Sequence, residues 1–302
     1  MCDAIPSLKF AIIVLNWNNS SDTLECLASL AKITYPAYEV IVVDNGSTDD
    51  SVLQIQANYP DHHLIETGEN LGFAEGNNRG ILEAKKRGAE MILLLNNDTV
   101  VAPTLLSELA KGAEKHPKVG VFGPKIYFYD EPATLWYAGG GVDPKSGRCF
   151  HVGCGLPDSQ KYKEKSLTDY VCGCALAIRS EVVDQVGLLD PRFFLIWEEI
   201  DWCYRARKAG FDCLVVPSAR VWHKVSASFI EGNRGPMWNY YYFRNRLLFH
   251  RKHSPWRKRW KRAGLRELAR LPKKEARAAR HGVLDYLLGR FGKGRLSKFT
   301  QI

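Results

Sequence analysis

The runs FAIIVL at 10–15, VIVV at 40–43 and MILLL at 91–95 contain no polar residue, and each stops on a cluster of Asn and Asp side chains. A strand presents alternate residues to opposite faces, so an unbroken apolar run means that both faces are buried, as in a parallel sheet covered by helices. Between the first two runs, Leu24, Leu27 and Leu30 share one face of a helically spaced segment over 23–30. The unit repeats with a helix around Ser51–Asn58, a strand near His63–Glu66, a helix from Gly76 to Arg87 and the third apolar run. Such alternation implies right-handed crossovers and a mostly parallel, Rossmann-like α/β sheet flanked by helices. Ligands on these sheets bind beyond the carboxyl ends of the strands. That is where Asn16-Trp17-Asn18-Asn19, Asp44-Asn45-Gly46-Ser47 and Asn96-Asn97-Asp98 fall.

Further along, residues 103–115 read as a helix with Pro103 in its first turn. The Gly-rich stretch 136–155 suggests loops or a hairpin, and 171–178 another strand. Residues 198–210 form a helix that begins with acids, continues with Arg205, Arg207 and Lys208, and stops at Gly210, matching the helix dipole at both ends. A short strand at 213–217 leads to Val221-Trp222-His223. The character changes after Trp238, which puts a boundary near 243 between an α/β domain (1–243) and a basic helical C-terminal extension (244–302).

The net charge of +9 is unevenly spread: residues 244–302 hold 19 Lys/Arg against three Asp/Glu, or +16, leaving −7 for 1–243. A negative core argues against nucleic acid as the main partner, whereas the tail suits a polyanion such as a phospholipid surface. The eight cysteines show no metal or redox spacing and read as reduced cytosolic thiols. Met1 to Phe10 is polar and unlike a signal peptide, and no apolar run approaches the ~20 residues that span a bilayer. The expected location is the cytoplasm.

Each polar cluster has a structural and a functional reading. Asp44 either leads into a turn in which Ser47 and Asp50 cap the next helix, or it accepts hydrogen bonds from a nucleoside beside Asn16 and Asn18. Asp98 either closes a turn or holds a divalent ion against a diphosphate, with His223 as a second ligand. Glu198, Glu199 and Asp201 either form a solvated first helical turn, with Asp201 paired to Arg205, or supply a general base whose pKa is raised by its neighbours. Phe193, Phe194, Trp197 and Trp202 around them suggest a sugar platform. Asn70 to Gly80, NLGFAEGNNRG, is either a plain loop entering a helix or a loop closing over a nucleotide.

Taken in order, NWNN at 16–19, VDNGSTDDS at 43–51, NLGFAEGNN at 70–78, LLNND at 94–98, GC at 173–174, WEEID at 197–201, WH at 222–223 and YYYFRNR at 240–246 resemble the family 2 glycosyltransferases of GT-A fold, close to the rhamnosyltransferase-like subgroup. The resemblance implies a nucleotide-binding face formed by Asn16, Asn18, Asp44, Asn70, Gly72, Asn77 and Asn97. It also implies Mg²⁺ or Mn²⁺ on Asp98 with His223, and Arg244 and Arg246 near the diphosphate. The acidic motif would supply the base of an inverting displacement, Glu199 first and Glu198 as rival. The family's Asp-X-Asp is Asn96-Asn97-Asp98 here, and its Glu-Asp is Glu198-Glu199. The implied donor is dTDP-rhamnose, or a UDP-hexose next, and the acceptor a glycan or lipid-linked hydroxyl in cell-surface polysaccharide synthesis. The alternatives are a nucleotidyltransferase, which needs a basic Gly-rich phosphate loop where this chain has neutral NWNN, and a non-catalytic sugar or nucleic-acid binder using the tail.

In that tail, Trp256 to Leu271 carries seven Lys/Arg among Trp and Leu, and Ala276 to Phe291 places Ala279, Val283, Leu287 and Phe291 on one expected helical face. Basic amphipathic helices read as membrane-surface elements, each Lys or Arg adding about 1 kcal/mol near an anionic leaflet. The expectation is peripheral docking on the cytosolic membrane face.

Overall fold

The computed structural model describes residues 8–143, 146–164, 166–225, 235–253, 265–266, 268–269 and 273–294. Its first half is β1 (Phe10–Asn16), α1 (Ser20–Leu30), β2 (Tyr38–Asp44), α2 (Ser51–Asn58), β3 (His63–Glu66), α3 (Gly72–Lys86) and β4 (Met91–Asn96). Strands β3, β2, β1 and β4 lie side by side in that order, all parallel. Phe10 to Val14 of β1 and Ile41 to Val43 of β2 are wholly buried, each large side chain contributing about 1.5–3 kcal/mol. Register aligns Asn16 with Asp44 and Leu15 with Asn96, so the polar ends of β1, β2 and β4 finish at one level.

The second half adds β5 (Thr99–Val101), α4 (Leu105–Lys115), β6 (Val119–Phe128), β7 (Leu135–Tyr137), β8 (Gly140–Val142), β9 (Cys149–His151), β10 (Ser166–Thr168), β11 (Ala175–Arg179), α5 (Ser180–Val186), α6 (Glu198–Lys208) and β12 (Asp212–His223). β11 runs antiparallel between β4 and β6, and β12 is parallel to β6. The sheet is therefore mixed: β12, β6, β4, β1, β2 and β3 point one way, and β11 is reversed in their midst. β8 and β9 pair as the expected hairpin over the Gly-rich stretch.

Some elements differ from expectation. Pro103 precedes α4 instead of opening it, its carbonyl accepting from Thr34. The short strand expected at 213–217 is longer: it continues to His223 as one strand, β12, with a register shift between Val216 and Arg220 where Pro217 offers no N–H. Helix α7 (Pro236–His253) runs through residue 243 without a break, because Tyr240 to Asn245 are all buried in the molecule. The boundary near 243 thus falls inside a core helix.

Helix α8 (Lys273–Leu287) lies on α7 through small residues. A Cβ on Gly282 would stand 2.2 Å from the Tyr240 carbonyl oxygen, and Tyr240 donates to Asp285 across 2.7 Å. The face expected to carry Ala279 and Leu287 together is divided: Ala279 is buried and Leu287 exposed. The basic segment Trp256 to Leu271 lies outside the described residues apart from 265–266 and 268–269. Among the described residues no helix is long and apolar enough to cross a membrane, and the cysteines are free thiols.

Candidate active site

At the carboxyl ends of β1, β2 and β4 a chain of side-chain hydrogen bonds spans three strands. Asn16 Nδ2 donates to Asp44 Oδ1 (2.7 Å), Thr23 Oγ1 donates to Asn16 Oδ1 (2.6 Å), and Asn97 Nδ2 donates to Thr23 Oγ1 (2.9 Å). Ser47 donates to the Asp44 carboxylate through both its hydroxyl and its backbone N–H. Asn18 N donates to the Ser47 hydroxyl and Asn18 Oδ1 accepts from Thr48 N, while Asn18 and Asn19 adopt left-handed backbone angles. The sequence brought Asp44, Asn16, Asn18 and Asn97 to this face; Thr23 and Ser47, which join them, were missed as site residues. Ser47 serves Asp44 instead of capping α2, whose start has no side-chain cap.

Asp98 follows β4, and β5 pairs antiparallel with the end of β12 so that Thr99 faces His223. This pairing brings His223 Nε2 to 3.1 Å from Asp98 Oδ1. Two cis ligands each about 2.1 Å from an octahedral ion stand about 3 Å apart, so the pair has the spacing of two positions on one divalent cation. One nitrogen and one carboxylate oxygen suit Mn²⁺ better than Mg²⁺, which takes oxygen. Among the described residues no third His, Cys, Asp or Glu completes a cluster around the pair. The Trp136 ring meets His223 and His151 edge-on, both at 4.6 Å between centroids, and burial pushes His151 down to about 4.

The tripeptide Cys172–Gly173–Cys174, entering β11, separates this pair from the acidic helix. Cys174 O accepts from Asn96 N (2.9 Å), and a Cβ on Gly173 would lie 3.5 Å from Glu199 Cβ. Glu198 is buried at the start of α6, and its carboxyl is pushed well above the usual carboxylate range by burial and then by the charge of Glu199. Burial also raises Glu199, and backbone N–H groups at Gly173, Trp197 and Ile200 partly offset it. Burial thus favours the protonated form of Glu198 more strongly than that of Glu199, which backbone N–H groups partly counter. The Oε2 atoms of both lack a hydrogen-bond partner among the described residues.

The segment before α6 is held in a costly conformation: Phe194, Ile196 and Trp197 all have positive φ, at about 1–3 kcal/mol each. Asn245 on α7 offsets this, its Nδ2 donating to the carbonyls of Phe193 (2.7 Å), Leu195 (2.8 Å) and Ile196 (2.8 Å).

Residues 6–234 match the family described as Glycosyltransferase like family 2. The chain belongs to that family. The transferase is 26% identical over 247 residues (76% of this chain, 78% of the relative) to the N-acetylglucosaminyl-diphospho-decaprenol L-rhamnosyltransferase of Mycobacterium tuberculosis. It is 25% identical over 224 residues (72% of each chain) to the dTDP-rhamnosyl transferase RfbF of Shigella flexneri. The solved structure of GalNAc-T7 with UDP, GalNAc and Mn²⁺ superposes with a TM-score of 0.65 at 16% identity, covering 93% of this chain and 56% of that one. That likeness shows the GT-A fold.

Several expected site residues of the transferase have other work. Asp201 is fully buried and paired with Lys252 (2.6 Å), His253 (2.7 Å) and Arg205 (3.0 Å), so it joins helices instead of accepting a proton. The Arg244 guanidinium is buried on the carbonyls of Gly292, Arg192 and Phe193 and over the Tyr240 and Tyr241 rings, leaving it no route to a diphosphate. Arg246 is buried too and donates to Ser146 O (2.6 Å).

The 70–80 segment is the start of α3, not a closing loop. Gly72 has φ +79 and packs on Phe194, whose carbonyl accepts from Phe73 N, while Asn70 Oδ1 accepts from Gly72 N and Asn77 donates to Phe73 O inside the helix. The Asp44 carboxylate, 2% exposed, is engaged by Asn16 and Ser47, so the groups facing outward beside it are Trp17 and Asn18. Phe193, Phe194, Trp197 and Trp202 are buried and form core, not a sugar platform.

Proposed function

We propose that the transferase moves L-rhamnose from dTDP-rhamnose to a hydroxyl of a lipid-linked glycan, with inversion at the anomeric carbon, Glu199 as general base and Asp98 with His223 holding a divalent cation. The supporting observation is that the Cys172–Gly173–Cys174 segment packs against Glu199 at Gly173 and accepts from Asn96, two residues before Asp98, at Cys174, which draws the acidic helix and the Asp98–His223 pair toward one segment. The rhamnosyl relatives favour the donor and, through the decaprenol-linked one, the acceptor; a UDP-hexose is the next donor.

Glu199 removes the proton from the acceptor hydroxyl as its oxygen bonds to the anomeric carbon, and the bond to the phosphate oxygen breaks with its electron pair going to the nucleoside diphosphate. Asp98 and His223 would hold a divalent cation, which would supply charge neutralisation for the diphosphate leaving group. Glu198, whose burial favours its protonated form, limits the negative charge beside the reacting centre. The expected setting is the cytosolic membrane face, where the basic tail meets anionic lipid.

The test is transfer of labelled rhamnose from dTDP-rhamnose to an N-acetylglucosaminyl diphospholipid in the presence of Mn²⁺, with the product anomer read by NMR. A product of inverted configuration is expected. A retained configuration, or no transfer from dTDP- or UDP-linked donors, contradicts the proposal.

A further inference from the structure

Leu284, Leu287 and Leu288 are 43%, 61% and 53% exposed, and their spacing of three and four residues lines them along one ridge at the end of α8. Arg277 and Arg280 are exposed on the same side, one to two turns back, and Lys293 is exposed just beyond. The opposite side, Ala278, Ala279, Gly282 and Asp285, is buried. A helix on an ordinary globular surface hides its leucines; this one packs with its small residues and turns its leucines outward.

What covers the ridge follows from charge. Residues 244–302 carry +16, so a second copy would bring like charge against like, whereas an anionic bilayer offers the opposite sign and an apolar interior. We infer that the outward face of α8 is the surface by which the transferase docks on anionic lipid. Leu284, Leu287 and Leu288 enter the acyl boundary, and Arg277, Arg280 and Lys293 meet headgroup phosphates. The inference deepens, and rests on, the lipid-linked acceptor reading. It also gives α8 a mechanical role, since α8 packs on α7, and α7 holds Asp201 of α6 through Lys252 and His253. A docked α8 would therefore set the orientation of the helix that carries Glu199 relative to the membrane.

The test is co-sedimentation of the full chain with mixed phosphatidylglycerol–phosphatidylcholine vesicles, with phosphatidylcholine alone as the comparison. Binding to the mixed vesicles that weakens with salt is expected. Leu284→Ser with Leu287→Ser and Leu288→Ser should lower it at least about tenfold, as should Arg277→Glu with Arg280→Glu. Melting curves confirm folding; should the serine variant fail to fold, the charge-reversed pair carries the test alone.

Vesicle binding by both variants equal to wild type overturns the inference. So does a wild-type dimer that the serine variant converts to monomer with vesicle binding unchanged, which would make the ridge a self-association face. Turnover of dTDP-rhamnose in solution is followed on the same preparations. If wild type binds vesicles through the leucines yet never turns over a donor, the docking face stands and the sugar-transfer reading falls.

Discussion

His253 donates to Asp201 across 2.7 Å, fastening the helix that carries the glutamate pair to the last turn of α7. Burial alone would raise the Asp201 carboxyl, but His253, Lys252 and Arg205 outweigh it and hold it below the usual range. The acid motif is therefore divided: its third carboxylate is a structural counter-ion, and only Glu198 and Glu199 retain elevated proton affinity.

Asp201→Asn is expected to destabilise the fold by about 3–5 kcal/mol, because it leaves buried cationic partners without their charge. Since the Asp201 pKa is depressed in the folded chain, its contribution is complete above the unfolded carboxyl value and is lost as pH falls through the folded one. Thermal unfolding across acidic pH should show wild type losing stability on acidification and the Asn variant losing less of it.

Glu199→Gln should lower kcat about 10²–10⁴-fold, the usual contribution of a general base. Glu198→Gln should cost far less, because an amide resembles the neutral carboxyl that burial favours there. Steady-state kinetics on the two variants decide the assignment, and the reverse ranking would move the base to Glu198. The wild-type rate should rise with pH through an apparent pKa above that of a free carboxyl, since Glu199 is raised and must be ionised to act.

Asp98→Asn and His223→Ala should each weaken Mn²⁺ binding at least about 100-fold, measured by electron paramagnetic resonance of the free ion, with little change in melting temperature. The two positions are 3.1 Å apart, so on the proposal that they share one ion the double variant should cost scarcely more than either single one.

Asn245→Ala removes the donor shared by three carbonyls of the 193–196 segment and is expected to cost about 1–3 kcal/mol. The larger effect should fall on kcat, because the segment that feeds α6 loses the support for its left-handed residues. Unchanged kcat with lowered stability would confine Asn245 to a structural role.

The first half of the fold was legible in the sequence because its strands are buried on both faces and advertise it as unbroken apolar runs. β11 was legible as a strand but not in direction, since the chain order of apolar segments does not record that β11 enters the sheet reversed between β4 and β6. Asp98 and His223 were each readable as a candidate ligand, but their contact was not, as 125 positions separate them and a three-residue strand, β5, brings them together.

Arg244 and Asn245 were misjudged or passed over because polar residues suggest a surface. Their setting in the aromatic run YYYF offered the opposite signal: a polar pair among buried rings must spend its donors on the backbone. The small residues Ala278 and Gly282 likewise foretold which side of α8 packs, a cue that outward leucines obscured.

The most direct measurement is nucleoside diphosphate release from dTDP-rhamnose, with and without Mn²⁺, by wild type, Asp98→Asn and Glu199→Gln. The account predicts Mn²⁺-dependent release by wild type, loss of that dependence along with the activity in Asp98→Asn, and a deep fall in Glu199→Gln. Release that ignores the metal and both substitutions would contradict it.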